Sequence, residues 1–331
     1  MTVIFLFEDT AMPIQPDGLA SSAALYPFAY DPARDALMFV RMDAAAYRAA
    51  SFLDERMNVR GDWIAASAVE QALAGPRDIR ALHFIFHAGH VGSTLLSRLL
   101  DEARGVLSLR EPLPLRVVAE HFSPARLELL LRLWERGFED TRAIVLKATS
   151  STARLATALL AMRPGSRAVM LDVGAESYLA TMLAGENSAA DLNAQGAERM
   201  RRLSALLGSP APTPRSLGEL IVMSWAAERL TQVHAARLLG ERVLAVDFDA
   251  MLDDVGATVA RVLAHLRIAA PAEGIAHDDI LGRYSKAPEH AYSPSLRRDL
   301  LAQARRNFGP EIRDALTWLE KLRLANPTAV L

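Results

Sequence analysis

From residue 81 onward, short apolar runs alternate with stretches in which apolar residues recur every three or four positions. The short runs predict strands at residues 83–86, 106–109, 143–146, 168–171 and 242–248. The stretches between them predict helices at residues 93–102, 124–136, 151–162, 176–184, 217–239 and 255–266. This alternation is typical of a parallel sheet that is covered on both faces. The sequence therefore predicts an α/β fold in three layers around a central parallel sheet.

The remaining segments divide the chain further. Residues 1–80 predict a small N-terminal α/β region, with a strand at 35–41 and helices at 44–56 and 64–73. Residues 81–331 are the main domain in this prediction. Within it, residues 185–216 lose the alternation and are rich in Ala, Asn, Gly, Ser and Pro, which indicates a partly helical insertion and a candidate lid. A polar loop at 271–295 precedes a helical tail.

Composition narrows the functional classes. The 331 residues carry a net charge of −2, so no basic field favours nucleic acid or an anionic membrane as partner. Cysteine is absent, which excludes disulfides and thiolate chemistry, and the scattered histidines show no metal-ligand spacing. The apolar run near the N-terminus is too short for a secretory core, and no stretch reaches the length of a membrane span. We therefore expect a soluble cytoplasmic protein, with a homo-oligomer left open.

The turn after the first predicted strand of the main domain is suited to binding an anion. It contains two glycines and a histidine and runs into two hydroxyl residues at the start of a helix, namely Gly89, His90, Gly92, Ser93 and Thr94. The backbone N–H groups of such a turn, together with the helix dipole, favour a phosphate or sulfate ester. The turn departs from the ATPase pattern G-x-x-x-x-G-K-[ST], because Ser93 rather than Lys follows Gly92. The alternative is an ordinary joint between strand and helix, since these residue types are common in turns.

Two charged residues follow neighbouring predicted strands. Glu111 comes directly after one strand and is a candidate base, because ligands of open parallel sheets bind at the carboxyl ends of strands. The alternative for Glu111 is an exposed ion pair with Arg110 or Arg116. Lys147 ends another strand and is one of only three lysines among 37 basic residues, which favours a specific anion contact. The alternative for Lys147 is a side chain that extends its charge to solvent over the following helix.

Five segments, in this order, resemble those of the sulfotransferases that use 3′-phosphoadenosine 5′-phosphosulfate as donor. They are the turn at 89–96, the strand ends at 107–112 and 144–147, the segment 162–171 and the strand region 242–252. The turn resembles that family's 5′-phosphosulfate loop, and the second segment resembles a strand that ends in a catalytic Glu. The chain thus resembles a divergent, bacterial-type member of this family over residues 82–290.

The resemblance implies a fold like that of P-loop NTPases and sulfotransferases, and an activity. The enzyme would move a sulfuryl group from 3′-phosphoadenosine 5′-phosphosulfate to a hydroxyl or amine of a small-molecule or glycan acceptor, without a metal. The catalytic residues it implies are Glu111, His90 and Lys147. The residues it implies for binding the donor are Gly89, Gly92, Ser93, Thr94, Ser177, Arg283, Ser285 and Lys286.

Two positions depart from the family pattern. His90 stands where the family has a basic residue in the loop, and Asp172 stands near the place of an arginine that holds the donor's 3′-phosphate. Because a carboxylate repels a phosphate, the positive charge has to come from elsewhere, for example from Arg283 and Lys286.

Two other functions stay open from the sequence. A nucleotide-dependent kinase would need a magnesium ligand at a strand end, for which Asp247 or Asp249 would serve, although the loop lacks the expected Lys. A degenerate, non-catalytic nucleotide-binding member is favoured by Asp172.

Overall fold

An antiparallel sheet of three strands forms the N-terminal region. The computed structural model describes residues 14, 16–20, 22–75, 79–185, 188–271, 278–284, 287–291 and 293–329. Strands β1 (Leu25–Asp31), β2 (Ala36–Arg41) and β3 (Asp62–Ala65) pair in this order. Helices α1 (Ala44–Ala49) and α2 (Ala66–Ala72) follow β2 and β3, and short 3-10 turns lie at Pro16–Ala20 and Glu55–Met57.

Both helices predicted in this region are shorter than the sequence suggested. The helix predicted at 44–56 ends at Ala49, because Ala50 is extended and the buried Arg110 guanidinium takes up the carbonyls of Tyr47, Arg48 and Ala50. The helix predicted at 64–73 begins only at Ala66, because Ile64 belongs to β3 and pairs with Leu37 of β2. In both places a tertiary contact prevails over local helical spacing.

The central sheet has five strands and is parallel throughout. Its strands are β4 (Ala81–His87), β5 (Val106–Arg110), β6 (Ala143–Lys147), β7 (Ala168–Asp172) and β8 (Val243–Asp247). The spatial order is β5-β6-β4-β7-β8. The predicted α/β fold with a central parallel sheet is confirmed. The strands β5 and β6 lie on one side of β4, whereas β7 and β8 lie on the other. This reversal of strand order opens a crevice at the carboxyl end of β4.

Helices cover both faces of this sheet and give the three layers. They are α3 (Ser93–Asp101), α4 (Leu113–Glu120), α5 (Pro124–Trp134), α6 (Ala156–Met162), α7 (Ala175–Ala184), α8 (Ser188–Leu207), α9 (Leu217–Leu239), α10 (Phe248–Asp253), α11 (Val255–Leu266), α12 (Asp278–Leu281), α13 (Pro294–Asn307) and α14 (Gly309–Ala325). A 3-10 turn at Ser150–Leu155 leads into α6, and β9 (Arg283–Tyr284) pairs with β10 (Ala287–Ala291) in an antiparallel two-stranded sheet.

Two apolar cores lie on opposite sides of the sheet. Alternate strand residues face opposite sides, so that Ile85 joins the core formed with α3, α7, α9, α11 and α14, whereas Phe84 and Phe86 join the other. The second core also contains α4, α5, α6 and residues of β1 and β2. Within the described ranges no helix combines the length and the apolar composition needed to cross a bilayer.

The predicted main-domain helices at 217–239 and 255–266 are confirmed to the residue. Other segments differ from the sequence prediction: the helix predicted at 151–162 becomes α-helical only at Ala156, and the helix α4 was not predicted. Much of the predicted insertion at 185–216 is the regular helix α8, which buries Leu192 and Leu203. The predicted strand at 242–248 ends at Asp247, whose carboxylate accepts from the Ala250 amide and begins α10. The polar loop predicted at 271–295 contains α12 and the paired strands β9 and β10.

Candidate functional site

The turn between β4 and α3 has a left-handed backbone at three positions, two of which are glycine. Gly89 and Gly92 have φ values of 91° and 73°, and His90 between them has a φ of 53°. A Cβ atom on Gly92 would overlap the ring of Phe248. The turn is therefore fixed both by backbone conformation and by the close approach of α10.

The N-terminus of α3 offers unused hydrogen-bond donors. Within the described part of the chain, the amides of Gly92, Ser93 and Thr94 donate to no acceptor. The Thr94 hydroxyl is buried, since the residue is only 2% exposed, and it too has no partner among the described residues. Three amides and one hydroxyl at a helix N-terminus favour a bound oxyanion.

Neighbouring side chains hold the turn in place. The Gly89 amide donates to Nδ1 of His87 at 3.0 Å, and the Tyr178 hydroxyl donates to the Ala88 carbonyl at 3.4 Å. Because Nδ1 of His87 accepts a hydrogen bond, the neutral imidazole carries its proton on Nε2. That nitrogen lies 3.9 Å from Oε1 of Glu111. The sequence pattern pointed neither to the bond between Tyr178 and Ala88 nor to the approach of His87 to Glu111, because each joins residues that are distant in the chain.

Glu111 and Lys147 form a buried ion pair beside the turn. Arg110 and Lys147 are register partners across β5 and β6, so Glu111 follows directly at the same sheet edge. The Lys147 ammonium donates to Oε1 of Glu111, and the Glu111 amide donates to the Lys147 carbonyl at 2.7 Å. Lys147 is fully buried, and Glu111 adopts a left-handed backbone with a φ of 57°. A non-glycine residue held in this region of backbone space is a feature that clusters at functional sites.

The two alternatives for these residues are wrong. Glu111 pairs with Lys147, whereas the Arg110 guanidinium pairs with Asp101 and Arg116 pairs with Glu55 at 3.0 Å. Lys147 does not extend to solvent, because its side chain is completely enclosed.

Opposite charges keep Glu111 ionised. Burial raises the pKa of its carboxyl, but Lys147, His87 and Arg56 outweigh burial and lower that pKa to about 2. At neutral pH the site therefore presents a carboxylate that can accept a hydrogen bond from a hydroxyl or an amine.

The N-terminal region supplies further residues that the sequence pattern did not single out. Nη2 of Arg56 lies 3.3 Å from Oε2 of Glu111, and the ring of Phe52 lies 5.6 Å from the Lys147 nitrogen. Both residues fall in a segment predicted as helix, where nothing in the local pattern points to the sheet edge.

The other predicted site residues are placed as follows. His90 is exposed at the tip of the turn, and Ser177 is half-buried in the first turn of α7. The backbone of Arg283 forms part of β9, whereas Ser285 and Lys286 lie outside the described residues.

The carboxyl end of β7 carries a buried carboxylate. Asp172 is 6% exposed, and its Oδ2 accepts from Arg229 at 3.2 Å. Burial raises the pKa of Asp172 to about 6, although Arg229 acts in the opposite direction. Asp172 and Arg229 line a cleft of about 760 Å³, which Asp247 also borders.

The acidic residues considered for magnesium already have partners. Asp247 accepts from the Ala250 amide at 2.9 Å, and Asp249 pairs with Arg297 at 3.0 Å. In the described ranges, no three His, Cys, Asp or Glu side chains converge in a group that could hold a metal ion.

The buried Asp172 gives a pH prediction. Its pKa is higher in the folded protein than in the unfolded chain, so the folded state binds the extra proton and the free energy of unfolding falls as pH rises from about 4 to 6. We expect Asp172→Asn to remove this slope. From pH 4 to pH 7 the free energy of unfolding of the variant should therefore rise by on the order of 2 kcal/mol relative to that of the wild type. Urea unfolding at both pH values measures the difference, and equal slopes for the two proteins would contradict it.

Comparison with known proteins gives no matching family model and no matching curated protein. The solved structures that are similar to part of the chain include three sulfotransferases. The mouse sulfotransferase SULT7A1 complexed with PAP covers 58% of this chain at 12% identity and a TM-score of 0.35, and the match spans 61% of the mouse chain. The sulfotransferase domain from the curacin biosynthetic pathway covers 66% of this chain at 14% identity and a TM-score of 0.33, and the match spans 86% of that domain. Sulfotransferase STF9 from Mycobacterium avium covers 73% of this chain at 12% identity and a TM-score of 0.43, and the match spans 81% of its own chain.

Proposed function

We propose that this protein transfers a sulfuryl group from 3′-phosphoadenosine 5′-phosphosulfate to a hydroxyl or amine acceptor. The observation that carries the proposal is one juxtaposition. The N-terminus of α3, whose amides and buried Thr94 hydroxyl have no partner among the described residues, lies at the same sheet edge as the Glu111–Lys147 pair. A site for an oxyanion beside a carboxylate and a buried cation suits transfer of a highly charged group.

The residues divide the chemistry between them. When bound, the donor supplies a sulfur that forms a bond to the acceptor atom while its bond to the bridging oxygen breaks and the electron pair leaves with the nucleotide phosphate. The amides of Gly92, Ser93 and Thr94 bind the charged oxygens, and the buried Lys147 ammonium keeps Glu111 ionised. Glu111 accepts the hydrogen bond of the acceptor and then its proton. A carboxylate of such low pKa takes the proton late, once bond formation has made the acceptor hydroxyl acidic.

The two ends of the donor fit the described residues unequally. The turn after β4 fits the phosphosulfate end, because the amides of Gly92, Ser93 and Thr94 and the Thr94 hydroxyl have no acceptor among the described residues. The end of β7 does not fit a 3′-phosphate at Asp172 itself, because a buried carboxylate repels it. His90 and Ser177 remain candidate contacts, as do Arg283 of β9 and the residues Ser285 and Lys286 outside the described ranges.

A thermal-shift comparison tests the proposal. We expect adenosine 3′,5′-bisphosphate to raise the melting temperature and ATP with Mg²⁺ to leave it unchanged, because a ligand that binds only the native state stabilises it. The reverse ranking would support a kinase, and no shift with either ligand would contradict a nucleotide site at this turn.

Thr94→Val provides the matched variant for this experiment. The Thr94 hydroxyl has no partner among the described residues, so its loss leaves the melting temperature of the unliganded protein nearly unchanged. We expect the dissociation constant of the bisphosphate to rise by about 10- to 100-fold, the effect of one lost hydrogen bond to a charged group. An unchanged dissociation constant would place the ligand away from α3.

A non-catalytic nucleotide-binding protein is the second candidate, favoured by Asp172. It predicts a thermal shift with the bisphosphate but no release of bisphosphate from the sulfated donor in the presence of any acceptor.

A further inference from the structure

The segment between α1 and β3 is fastened to the sheet edge on both sides of Glu111. The Leu53 amide donates to the Arg110 carbonyl at 2.7 Å, and the Leu113 amide donates to the Leu53 carbonyl at 3.2 Å. These two backbone bonds bracket Glu111 in sequence. Side chains of the N-terminal region are thereby brought to the carboxylate by main-chain contacts.

Arg56 of this segment is held rigidly. Its Nε donates to Oδ1 of Asp54 at 2.7 Å, and its Nη2 donates to the other oxygen of the same carboxylate. The guanidinium carbon lies 3.2 Å from the ring centre of Phe52, so one face of the guanidinium is covered. Asp54 itself is completely buried. A bidentate pair with a stacked face fixes the guanidinium more firmly than an ordinary surface contact does.

The two oxygens of Glu111 have different neighbours. Lys147 from β6 and His87 from β4 both approach Oε1. Nε2 of His87 lies 3.9 Å from this oxygen. Only Arg56 approaches Oε2 among the described ion-pair partners, at 3.3 Å. That bond is long, so Oε2 retains more capacity to accept a hydrogen bond than Oε1 has.

We propose that Arg56 is a positioning residue that holds Glu111 so that Oε2 receives the proton of the acceptor. The proposal deepens the proposed sulfuryl transfer and rests on it for the identity of the proton. Asp54 orients Arg56, Arg56 orients Oε2, and Lys147 keeps Oε1 occupied. The N-terminal region is thus a working part of the site.

Two cations face Glu111 from different elements, namely Lys147 and Arg56, and their contributions are separable by substitution. His87 adds a positive charge only when its Nδ1 is protonated and no longer accepts from the Gly89 amide. Loss of the Arg56 charge is expected to raise the pKa of Glu111 by about one unit, the usual effect of an opposite charge at this distance. It also leaves the carboxylate free to rotate, which lowers kcat without changing the affinity for the donor.

The test compares Arg56→Gln and Arg56→Lys with Arg60→Gln, an exposed arginine four positions away. Protein labelled with ¹³C at the Glu carboxyl carbons is titrated by NMR, and the Glu111 signal is assigned with Glu111→Gln. Because the pKa in the wild type is low, the titration is repeated in the Lys147→Met background, where loss of the main partner raises it. In that background we expect Arg56→Gln to raise the Glu111 pKa by about one unit. Arg56→Lys should keep this pKa close to the value with Arg56 present, and Arg60→Gln should leave it unchanged.

Activity is the second readout. With 4-nitrophenol as probe acceptor, we expect Arg56→Gln to lower kcat by about 10-fold and to move the acidic limb of the pH profile upward, with KM for the donor unchanged. Equal titration of Glu111 in Arg56→Gln and Arg60→Gln would overturn the positioning role. A wild type that transfers nothing while Arg56→Gln still shifts the titration would refute sulfuryl transfer and leave the Arg56–Glu111 contact standing.

Discussion

Replacing Glu111 by Gln is expected to lower sulfuryl transfer by about 10²- to 10⁴-fold, the range lost with a proton acceptor. The amide keeps the shape of the side chain but can neither carry the negative charge nor take the acceptor's proton. Stabilisation by adenosine 3′,5′-bisphosphate should persist, because the donors for the ligand belong to Gly92, Ser93 and Thr94. Initial rates and thermal shifts on the same preparations measure the two effects.

The buried partner calls for a stability control. Glu111→Gln leaves the fully buried Lys147 ammonium without a carboxylate on Oε1, which costs about 3–5 kcal/mol. Adding Lys147→Met removes the buried charge and should recover most of that loss in urea unfolding, while activity stays absent. If instead activity and bisphosphate binding fall together in both variants, Glu111 supports the fold and does not carry the chemistry.

The layers of this fold could be predicted because a sheet buried on both faces gives short apolar runs that are visible in the local sequence. Strands β4 to β7 are continuous apolar runs, and α9 and α11 have helical spacing from end to end. The short elements were missed where a distant partner decides the backbone. Ile64 is a strand residue because it pairs with Leu37, and α1 stops where Arg110 binds its last carbonyls.

The candidate site was predictable in its parts more than in its connections. The turn at Gly89–Thr94 and the strand ends at Glu111 and Lys147 are visible as sequence patterns. The ion pair between the two depends on β5 lying beside β6, and strand order is a non-local property. Arg56 acts from 55 residues away in the chain, and its charge alone gives no hint of the carboxylate that it meets.

Gly92→Ala is expected to have the largest effect on stability and on anion binding together. The residue has a φ of 73°, which costs a non-glycine residue about 1–2 kcal/mol. The added methyl group also overlaps the Phe248 ring, and overpacking of this kind adds about 1–3 kcal/mol. Relief of either strain turns the amides of Ser93 and Thr94 away from their present direction. We therefore expect a fall of about 2–5 kcal/mol in the free energy of unfolding and loss of the bisphosphate thermal shift.

Two further variants separate the causes. Gly165→Ala adds a methyl group where nothing lies within 4 Å, and it should change stability by less than about 0.5 kcal/mol. In a Phe248→Ala background the overlap is gone, so Gly92→Ala should cost only the backbone strain of about 1–2 kcal/mol. The difference between the two backgrounds measures how strongly α10 presses on the turn. If Gly92→Ala costs the same with and without the Phe248 ring, packing does not fix this turn, and an intact bisphosphate shift in Gly92→Ala would mean that the anion binds elsewhere.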